Sequence, residues 1–287
     1  MTAVLINNRY RLISPLGKGG FGITVLAEDT HMPSRRSCVI KQLKPASDDP
    51  RFYQFAQERF HREAAILEEL SRGNEQIPKL HAYFEETGRF YLVQELIEGK
   101  TLQSHIRSDG PMSESQVTEI LASILSVLEY VHSKGIIHRD IKPDNVILRL
   151  ADHKPVLIDF GAVKETMMDH DDHGQTKVIG TPGYMPIEQG LGRPVYSSDL
   201  YSLGLVAIFM LTGKHPKDLG HDPLTGGITW QKALPTISPT LATVINTAIQ
   251  PHPRDRYSTA QEMLSGMGDL HVDMLTDQLR RFRRKDR

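Results

Sequence analysis

The sequence contains a single cysteine and a single tryptophan among 287 residues. One cysteine excludes an internal disulfide, and Cys38 lies in an apolar run, so we expect a buried thiol in a reducing compartment, with the cytoplasm as the expected location. Net charge is also nearly absent, because 34 basic and 35 acidic residues leave −1 at pH 7. This balance gives the body of the protein no electrostatic attraction for nucleic acid, and no nucleic-acid partner is expected.

Long hydrophobic runs are missing as well. The longest, Leu203 to Leu211, is about half as long as a membrane span requires, and the first residues offer only Ala3 to Ile6. The sequence therefore predicts neither a signal peptide nor a span. The end, residues 280–287, is basic at six of eight positions. Such a run is typical of a solvated tail, but it could also bind acidic lipid or precede a span if the natural chain continues; a membrane is an expected partner only in that case.

The most informative stretch is His138-Arg139-Asp140-Ile141-Lys142-Pro143-Asp144-Asn145, followed after an apolar interval by Asp159-Phe160-Gly161. It places carboxylates, a lysine and an asparagine on turns between apolar, strand-like runs. These groups suit a metal-bound phosphate, because Mg²⁺ prefers oxygen ligands and a transferring phosphoryl group needs charge held around it. The pattern indicates a site for phosphoryl transfer.

The two motifs resemble those of the eukaryotic-type protein kinases. Their order and spacing make the match more specific than a lone glycine-rich loop. The resemblance covers about Tyr10 to Leu270. Four segments are most similar to those of bacterial, in particular cyanobacterial, Ser/Thr kinases: 19–22, 39–45, 93–95 and 180–189. It implies an α+β, bilobal fold in which a small antiparallel β-sheet lobe with one helix precedes a larger, mainly helical lobe. The expected bounds are 1–97 for the nucleotide-binding lobe, 98–271 for the catalytic lobe and 272–287 for the basic tail.

The apolar periodicity predicts the elements of both lobes. Strands are expected over 10–16, 23–28, 37–43, 81–86, 90–95 and 155–158, and helices over 53–70, 113–135, 197–211, 237–249 and 259–270. Ser113 and Gln116 form a capping box for the second of these helices. Asp199, at the start of the third, either caps it or, as the resemblance implies, holds the backbone of the catalytic loop; both readings are compatible.

A glycine-rich segment lies between the first two predicted strands: Gly17-Lys18-Gly19-Gly20-Phe21-Gly22. Glycines let backbone N–H groups approach phosphates, and Phe21 could close over the tip, although an ordinary flexible turn has the same composition. The resemblance makes it a nucleotide-binding loop. The family's valine after the last glycine is Thr24 here, followed by Val25. Further nucleotide-contacting positions implied by the resemblance are Val25, Val39, Lys41, Gln94, Glu95, Ile97, Asn145, Ile147 and Asp159.

Lys41 follows Cys38-Val39-Ile40 on a predicted strand, where a lysine is ordinarily only solvated. Its expected partner is Glu63. The apolar residues around Glu63 recur at helical spacing and place it on the inward face of the helix, where a carboxylate needs a cation. The resemblance pairs the two residues and directs Lys41 to the α- and β-phosphates.

The resemblance also assigns the roles in catalysis. Asp140 accepts or orients the proton of the substrate hydroxyl, Lys142 steadies the transferred phosphate, and Asn145 and Asp159 bind Mg²⁺, or Mn²⁺ in its place. Thr181 is expected to bond both Asp140 and Lys142, as in Ser/Thr-specific members. The expected function is transfer of the γ-phosphate of ATP to Ser and Thr hydroxyls of proteins, including the kinase itself.

Residues 162–189 correspond to the activation loop of the family. Arg139, directly before the catalytic aspartate, predicts that activity depends on a phosphate on Thr166 or Thr176. Residues 169–173, which are all Asp or His, are expected to form a solvated loop; a metal site is the alternative, although adjacent loop residues seldom converge on one ion. His138 is expected to be a packed histidine. Further along the chain, Glu188 is expected to pair with Arg256.

Two other function classes remain open. A pseudokinase would keep the fold without transferring phosphate, and departures from the family pattern at Thr24, Val39, Pro186 and Ile187 favour it, but none of them removes a group that touches metal or phosphate. A small-molecule kinase of the aminoglycoside type would lack the Glu188–Arg256 pair and the Thr181 signature. Nucleotide binding without turnover would identify the first class, and phosphorylation of small alcohols the second.

Overall fold

The computed structural model describes residues 5–19, 22–43, 50–161, 164–165, 180–222, 227–234 and 236–268. By internal contacts the chain divides into two compact units, Met1–Glu98 and Gly99–Arg287. The first contains an antiparallel sheet with one helix, and the second is mainly helical. The predicted α+β fold class is confirmed.

The first unit is built on a six-stranded antiparallel sheet. Its strands are β1 (Leu5–Ile6), β2 (Tyr10–Gly19), β3 (Gly22–Asp29), β4 (Ser37–Leu43), β5 (Leu80–Glu86) and β6 (Arg89–Glu95), in the spatial order β1-β2-β3-β4-β6-β5. Helix α1 (Pro50–Gly73) lies between β4 and β5 in the chain. All the strands predicted for this part of the chain are present, and β2 extends into the glycine-rich segment.

Strand β5 packs against different partners on its two faces, because successive side chains of a strand point to opposite sides. Phe84 packs against a buried cluster that includes Tyr10 and Tyr91, whereas the ring of Tyr83 lies 5.4 Å from that of Phe60 on α1. Cys38 lies fully buried in the same cluster as Tyr10. Burial raises the pKa of its thiol to about 11, so Cys38 is a neutral core residue at pH 7, as predicted.

The second unit contains helices and short strands. The helices are α2 (Leu102–Asp109), α3 (Glu114–Ser133), α4 (Ile187–Gly190), α5 (Tyr196–Thr212), α6 (Pro239–Ala248) and α7 (Ala260–Gly266); the strands are β7 (Gly99–Thr101), β8 (Ile136–Ile137), β9 (Val146–Arg149), β10 (Pro155–Leu157) and β11 (Lys164–Glu165). Helix α5 is buried over nearly its whole length and packs against α3 and α6. Strands β10, β9 and β7 form one small sheet, and β11 pairs with β8.

Two predicted helix starts have different outcomes. The capping box of α3 is confirmed, because Ser113 Oγ accepts the Gln116 N–H at 3.3 Å and Gln116 Oε1 accepts the Ser113 N–H at 3.0 Å. Helix α5 begins at Tyr196 after Val195, whose N–H donates to Ser198 Oγ at 3.1 Å. Asp199 lies inside the helix and bonds elsewhere, so the interpretation of Asp199 as the cap is wrong.

No helix in the described part of the chain is long and apolar enough to cross a membrane. Several predictions fall outside the described residues: those on Gly20 and Phe21, on Thr166 and Thr176, on the Asp- and His-rich stretch 169–173, and on the basic end of the chain. Of the last predicted helix, residues 269 and 270 also lie outside the described part.

Candidate active site

Four polar side chains of the second unit form a closed hydrogen-bond network around Asp140. Lys142 Nζ donates to Asp140 Oδ2 at 2.7 Å and to Thr181 Oγ1 at 2.8 Å. Thr181 Oγ1 in turn donates to Asp140 Oδ1 at 2.7 Å, and Asn145 Nδ2 donates to Asp140 Oδ2 at 3.0 Å. Both carboxylate oxygens of Asp140 are therefore oriented, and the contacts predicted for Thr181 are present.

The loop that contains Asp140 is held from α5 by Asp199, which is fully buried. The Asp199 carboxylate accepts the N–H groups of His138 and Arg139, each at 2.9 Å, and lies 2.9 Å from His132 Nε2. Arg139 has φ +68°, a left-handed conformation that is uncommon outside glycine. The two backbone hydrogen bonds stabilise this conformation, so the loop-holding role expected of Asp199 is confirmed.

The charge of Asp199 follows from its partners. Burial by itself would raise the pKa of this carboxyl, but the hydrogen bonds from His132 and from the Arg139 N–H outweigh burial, and its pKa lies below the usual value. Asp199 is therefore ionised at pH 7. Hydrogen bonds to a charged acceptor are roughly twice as strong as those between neutral groups, which suits a side chain that fixes the catalytic loop.

His138 is a packing residue, as predicted. It is fully buried, and its ring lies 4.9 Å from the ring of Phe160 in an edge-to-face contact. Burial lowers its pKa, and its Nδ1 accepts the Asp140 N–H at 3.3 Å. A neutral imidazole that receives a backbone hydrogen bond shapes the loop and is not placed to act as a base.

Asn145 and Asp159 are the residues expected to hold the metal ion. Asn145 Nδ2 is used twice, toward Asp140 O at 2.8 Å and Asp140 Oδ2 at 3.0 Å, which leaves its Oδ1 for a cation. The Ile158 N–H donates to Asn145 O at 2.9 Å and so ties the segment before Asp159 to the catalytic loop. An amide oxygen and a carboxylate are ligands of the kind that Mg²⁺ prefers, so the chemistry of these two side chains fits the ion.

The predicted partner of Lys41 is also in place, within the first unit. Lys41 Nζ donates to Glu63 Oε1 at 3.1 Å, and the two side chains are 20% and 15% exposed. Lys41 lies on β4 between Thr24 of β3 and Leu92 of β6, and Glu63 lies on α1. Helical periodicity alone placed Glu63 on the inward face, and the structure brings it to the lysine.

The glycine-rich segment contains two glycines in different surroundings. A Cβ on Gly22 would lie 1.9 Å from Gln42 O on β4, whereas a Cβ on Gly17 would meet nothing within 4 Å. Lys18 and Gly19 belong to the end of β2, where Gly19 pairs with Gly22. Gly22 is therefore required by the close approach of two strands, a reason that the sequence did not reveal.

Of the other expected nucleotide contacts, Val25, Val39, Gln94, Glu95 and Ile147 lie on strands, whereas Ile97 lies between β6 and β7. Val39, Gln94 and Ile97 are 8%, 6% and 7% exposed, Val25 and Glu95 are partly buried, and Ile147 lies on β9 opposite Val156. The Glu95 N–H donates to Lys79 O at 2.9 Å. In the described part of the chain the Ile97 N–H has no hydrogen-bond partner, so it remains available to a ligand.

Glu188 and Arg256 form the predicted ion pair. Arg256 Nη1 and Nη2 donate to the two carboxylate oxygens at 2.7 and 3.2 Å, and the arginine side chain is fully buried. Burial by itself would raise the pKa of Glu188, but hydrogen bonds from Arg256 and Ser198 outweigh it, so the pKa is lowered. The pair joins α4 to the segment before α7.

Sequence reasoning missed two residues that support the catalytic loop. One is His132, the partner of Asp199, and the other is Gln189, whose Nε2 donates to Arg139 O at 2.6 Å. His132 lies in the last turn of α3, where a histidine is already favoured by the helix dipole. Its position therefore has a local explanation, and no signal in the sequence links it to Asp199, 67 residues away.

Comparisons with known proteins agree with this geometry. The model of the protein kinase domain family matches residues 10–266. The chain is 58% identical over 267 residues to serine/threonine-protein kinase PknA of Nostoc sp., covering 92% of this chain and 47% of that protein. It is 57% identical over 263 residues to serine/threonine-protein kinase C of Synechocystis sp., covering 90% and 49%, and 33% identical over 285 residues to PknB of Mycobacterium leprae, covering 93% and 43%. The chain spans about half the length of these curated relatives.

Proposed function

Because the chain belongs to the protein kinase domain family, we propose that it is a serine/threonine protein kinase that transfers the γ-phosphate of ATP to Ser and Thr hydroxyls of proteins, including its own. The observation that carries this proposal is the closed network of Asp140, Lys142, Thr181 and Asn145. It orients a carboxylate and a cation side by side, as proton acceptance and phosphate stabilisation require.

The hydroxyl of the substrate loses its proton to Asp140 as its oxygen bonds to the γ-phosphorus, and the bond from that phosphorus to the β–γ bridging oxygen breaks to release ADP. Lys142 remains charged beside the transferring group, where it offsets the negative charge. Thr181 is hydrogen-bonded to both residues; it fixes the position of one side chain relative to the other and supports Ser/Thr specificity. Positioning and charge account for most of the catalysis in this kind of reaction.

Members of the family use ATP and Mg²⁺. In this chain Asn145 Oδ1 and Asp159 would hold Mg²⁺, or Mn²⁺ in its place. The bound ion would neutralise part of the negative charge of the phosphates. Lys41, oriented by Glu63 at 3.1 Å, would contact the α- and β-phosphates. The segment Gly17 to Gly22 would cover the phosphates, and the Ile97 N–H would bond the adenine edge.

The remaining parts of the proposal concern organisation and setting. Residues 1–97 form the nucleotide-binding lobe, 98–271 the catalytic lobe and 272–287 a basic tail. Protein substrates are the partners, the cytoplasm is the location, and a membrane is a partner only if the natural chain continues beyond the tail. Arg139 makes activity depend on a phosphate on Thr166 or Thr176.

The test is transfer of labelled γ-phosphate from Mg·ATP to the protein and to a generic basic protein. Asp140→Asn removes the proton acceptor, and Asp109→Asn is the matched control, because Asp109 lies at the exposed end of α2 and pairs with Lys100. We expect label on Ser or Thr with the wild type and the control, and none with Asp140→Asn. Equal labelling by Asp140→Asn would refute the assignment.

A second measurement separates the pseudokinase alternative. An ATP-dependent rise of the melting temperature without phosphate transfer, also after the loop has been phosphorylated by another kinase, would identify a nucleotide-binding protein without turnover.

Double replacement of Thr166 and Thr176 by alanine tests whether activity depends on a phosphate on one of these residues. Full activity of a phosphate-free preparation of this variant would contradict that dependence.

A further inference from the structure

Among the described side chains of helix α1, those of the later turns are more deeply buried than those of the first turns. Its later turns bury Phe60, Ala64, Leu67 and Leu70, which are at most 5% exposed. The described side chains of its first turns are different: Gln54, Gln57 and Glu58 are exposed, and Tyr53 is half-buried. Among the described residues, contact of the first turns with the sheet therefore depends on Tyr53.

Tyr53 makes both a ring contact and a hydrogen bond. Its ring lies 5.2 Å from that of Phe90, and its hydroxyl donates to Glu85 Oε1 at 2.6 Å. The hydrogen bond to Glu85 raises the pKa of Tyr53, so the hydroxyl stays protonated and remains the donor. Glu85 follows Tyr83 by two residues on β5 and faces the helix on the same side of the sheet.

The position of Tyr53 connects this hydrogen bond with Glu63. Tyr53 lies seven residues before Phe60, which is about two helical turns and thus on the same side of α1. Phe60 is in turn one turn before Glu63. A helix moves as a rod over such distances, so a tilt of its first turns about the buried later turns also displaces Glu63, which must stay about 3 Å from Lys41 to keep a charged hydrogen bond.

We propose that Tyr53 is a positioning residue: its hydrogen bond to Glu85 holds the first turns of α1 against the β5–β6 hairpin, and this keeps Glu63 within reach of Lys41. The part of the proposal that concerns the position of the helix depends only on the observed contacts of Tyr53 with Glu85 and Phe90. Its consequence for catalysis rests on the proposed kinase function, because it acts through the Lys41–Glu63 pair.

The chain provides a matched control. Tyr83 also packs its ring against α1, 5.4 Å from Phe60, but its hydroxyl makes no hydrogen bond with any described residue. Tyr83→Phe and Tyr53→Phe therefore each remove one hydroxyl from the same interface, and only the second removes a hydrogen bond. Glu85→Gln changes the same bond from the acceptor side.

Amide hydrogen exchange tests the placement without reference to activity. A hydrogen bond between a phenol and a carboxylate in contact with water stabilises the closed state of a helix turn. Its loss should raise the equilibrium constant for local opening by about fivefold. We expect Tyr53→Phe to speed exchange of the amides of residues 54–64 by about that factor, and Tyr83→Phe to leave it unchanged. Wild-type exchange in Tyr53→Phe, or an equal effect of Tyr83→Phe, would overturn the proposal.

Steady-state kinetics test the consequence. Tyr53→Phe is expected to lower kcat/KM for ATP by about fivefold, and adding Glu85→Gln should cause little further loss, because both changes remove one interaction. In a Glu63→Gln background, Tyr53→Phe should have no effect on activity, since the pair it positions is already broken. A loss of equal size in that background would mean a merely structural role. Absence of phosphate transfer by the wild type would refute the proposed function, while the exchange result would still decide whether Tyr53 holds the helix.

Discussion

At the scale of single residues, Thr181 links the two charged groups of the catalytic loop through one hydroxyl. That oxygen donates to Asp140 and accepts from Lys142, so its donor and one acceptor position are both used. Its methyl group takes no part in these bonds. The chemistry of the site therefore depends on a hydroxyl at this position and not on threonine itself.

Replacing Thr181 by alanine should lower kcat by roughly tenfold to a hundredfold, because a hydrogen bond to a charged group contributes about 1.5–3 kcal/mol. Thr181→Ser keeps the hydroxyl and should stay within about threefold of the wild type. The measurement is kcat at saturating ATP and protein substrate. If the alanine variant kept the wild-type kcat, Asp140 and Lys142 would hold their positions without the Thr181 hydroxyl, and the prediction would be wrong.

At the scale of elements, the β2–β3 hairpin shows that glycines in one motif are required for different reasons. Gly22 lies against the backbone of β4, where the carbonyl oxygen of Gln42 occupies the place of a Cβ, while Gly17 faces open space. A backbone neighbour cannot move aside as a flexible side chain can. The sheet must therefore open if Gly22 acquires a side chain.

Gly22→Ala should lower the free energy of unfolding by about 2 kcal/mol, in the range found for overpacking. Gly17→Ala, the matched control, should change it by less than about 0.5 kcal/mol or raise it slightly, since alanine restricts the unfolded chain. Urea unfolding followed by circular dichroism gives both values. Equal stability of the two variants would contradict the packing explanation.

A second element-scale contact joins α4 to the segment before α7 through Glu188 and Arg256. Arg256→Met leaves the Glu188 carboxylate without its charged partner, and removing one member of a buried ion pair costs about 3 kcal/mol or more of unfolding free energy. Arg254→Met is the control, because Arg254 is exposed and surface changes stay within about 0.5 kcal/mol. A loss in Arg256→Met no larger than in the control would show that the pair adds no stability.

At the scale of the whole molecule, stabilising carboxylates occur in both units. In the first, the hydrogen bond from Arg9 lowers the pKa of Asp29; in the second, burial is outweighed by hydrogen bonds at Glu188 and Asp199, and their pKa values are lowered too. Each group binds its proton more weakly in the folded than in the unfolded protein. Their contributions are complete above the unfolded values of 3.8 and 4.5 and are lost as the pH falls further.

The protein should therefore lose stability steeply under acid conditions. Below about pH 4.5 the unfolded chain takes up more protons, and the free energy of unfolding should fall by more than about 1.4 kcal/mol per pH unit, which is the slope for one proton. Urea unfolding between pH 7 and 3 measures this slope. A stability that stays constant down to pH 3 would mean that the three carboxylates have ordinary pKa values in the fold.

The sequence by itself determined strands β2 to β6 of the first unit, the long helices, the capping box of α3, the buried state of Cys38 and the residues of the catalytic network. These features follow from local periodicity, from residue type and from two motifs whose order and spacing are specific. That Glu63 needs a cation was also predictable, because it is a carboxylate on an apolar helix face, and the resemblance to the kinase family identified Lys41 as that cation.

Only the tertiary structure decided which partners the long-range polar groups have. Asp199 bonds the catalytic loop and not the start of its own helix, His132 and Gln189 support that loop, Gly22 is required by Gln42, and Tyr53 bonds Glu85. Each contact joins residues far apart in the chain, and each of these residues also has an adequate local explanation, as a cap, a helix end, a turn or an exposed side chain. Local patterns report the energetics of neighbouring residues, whereas the choice among distant partners is made when the elements pack.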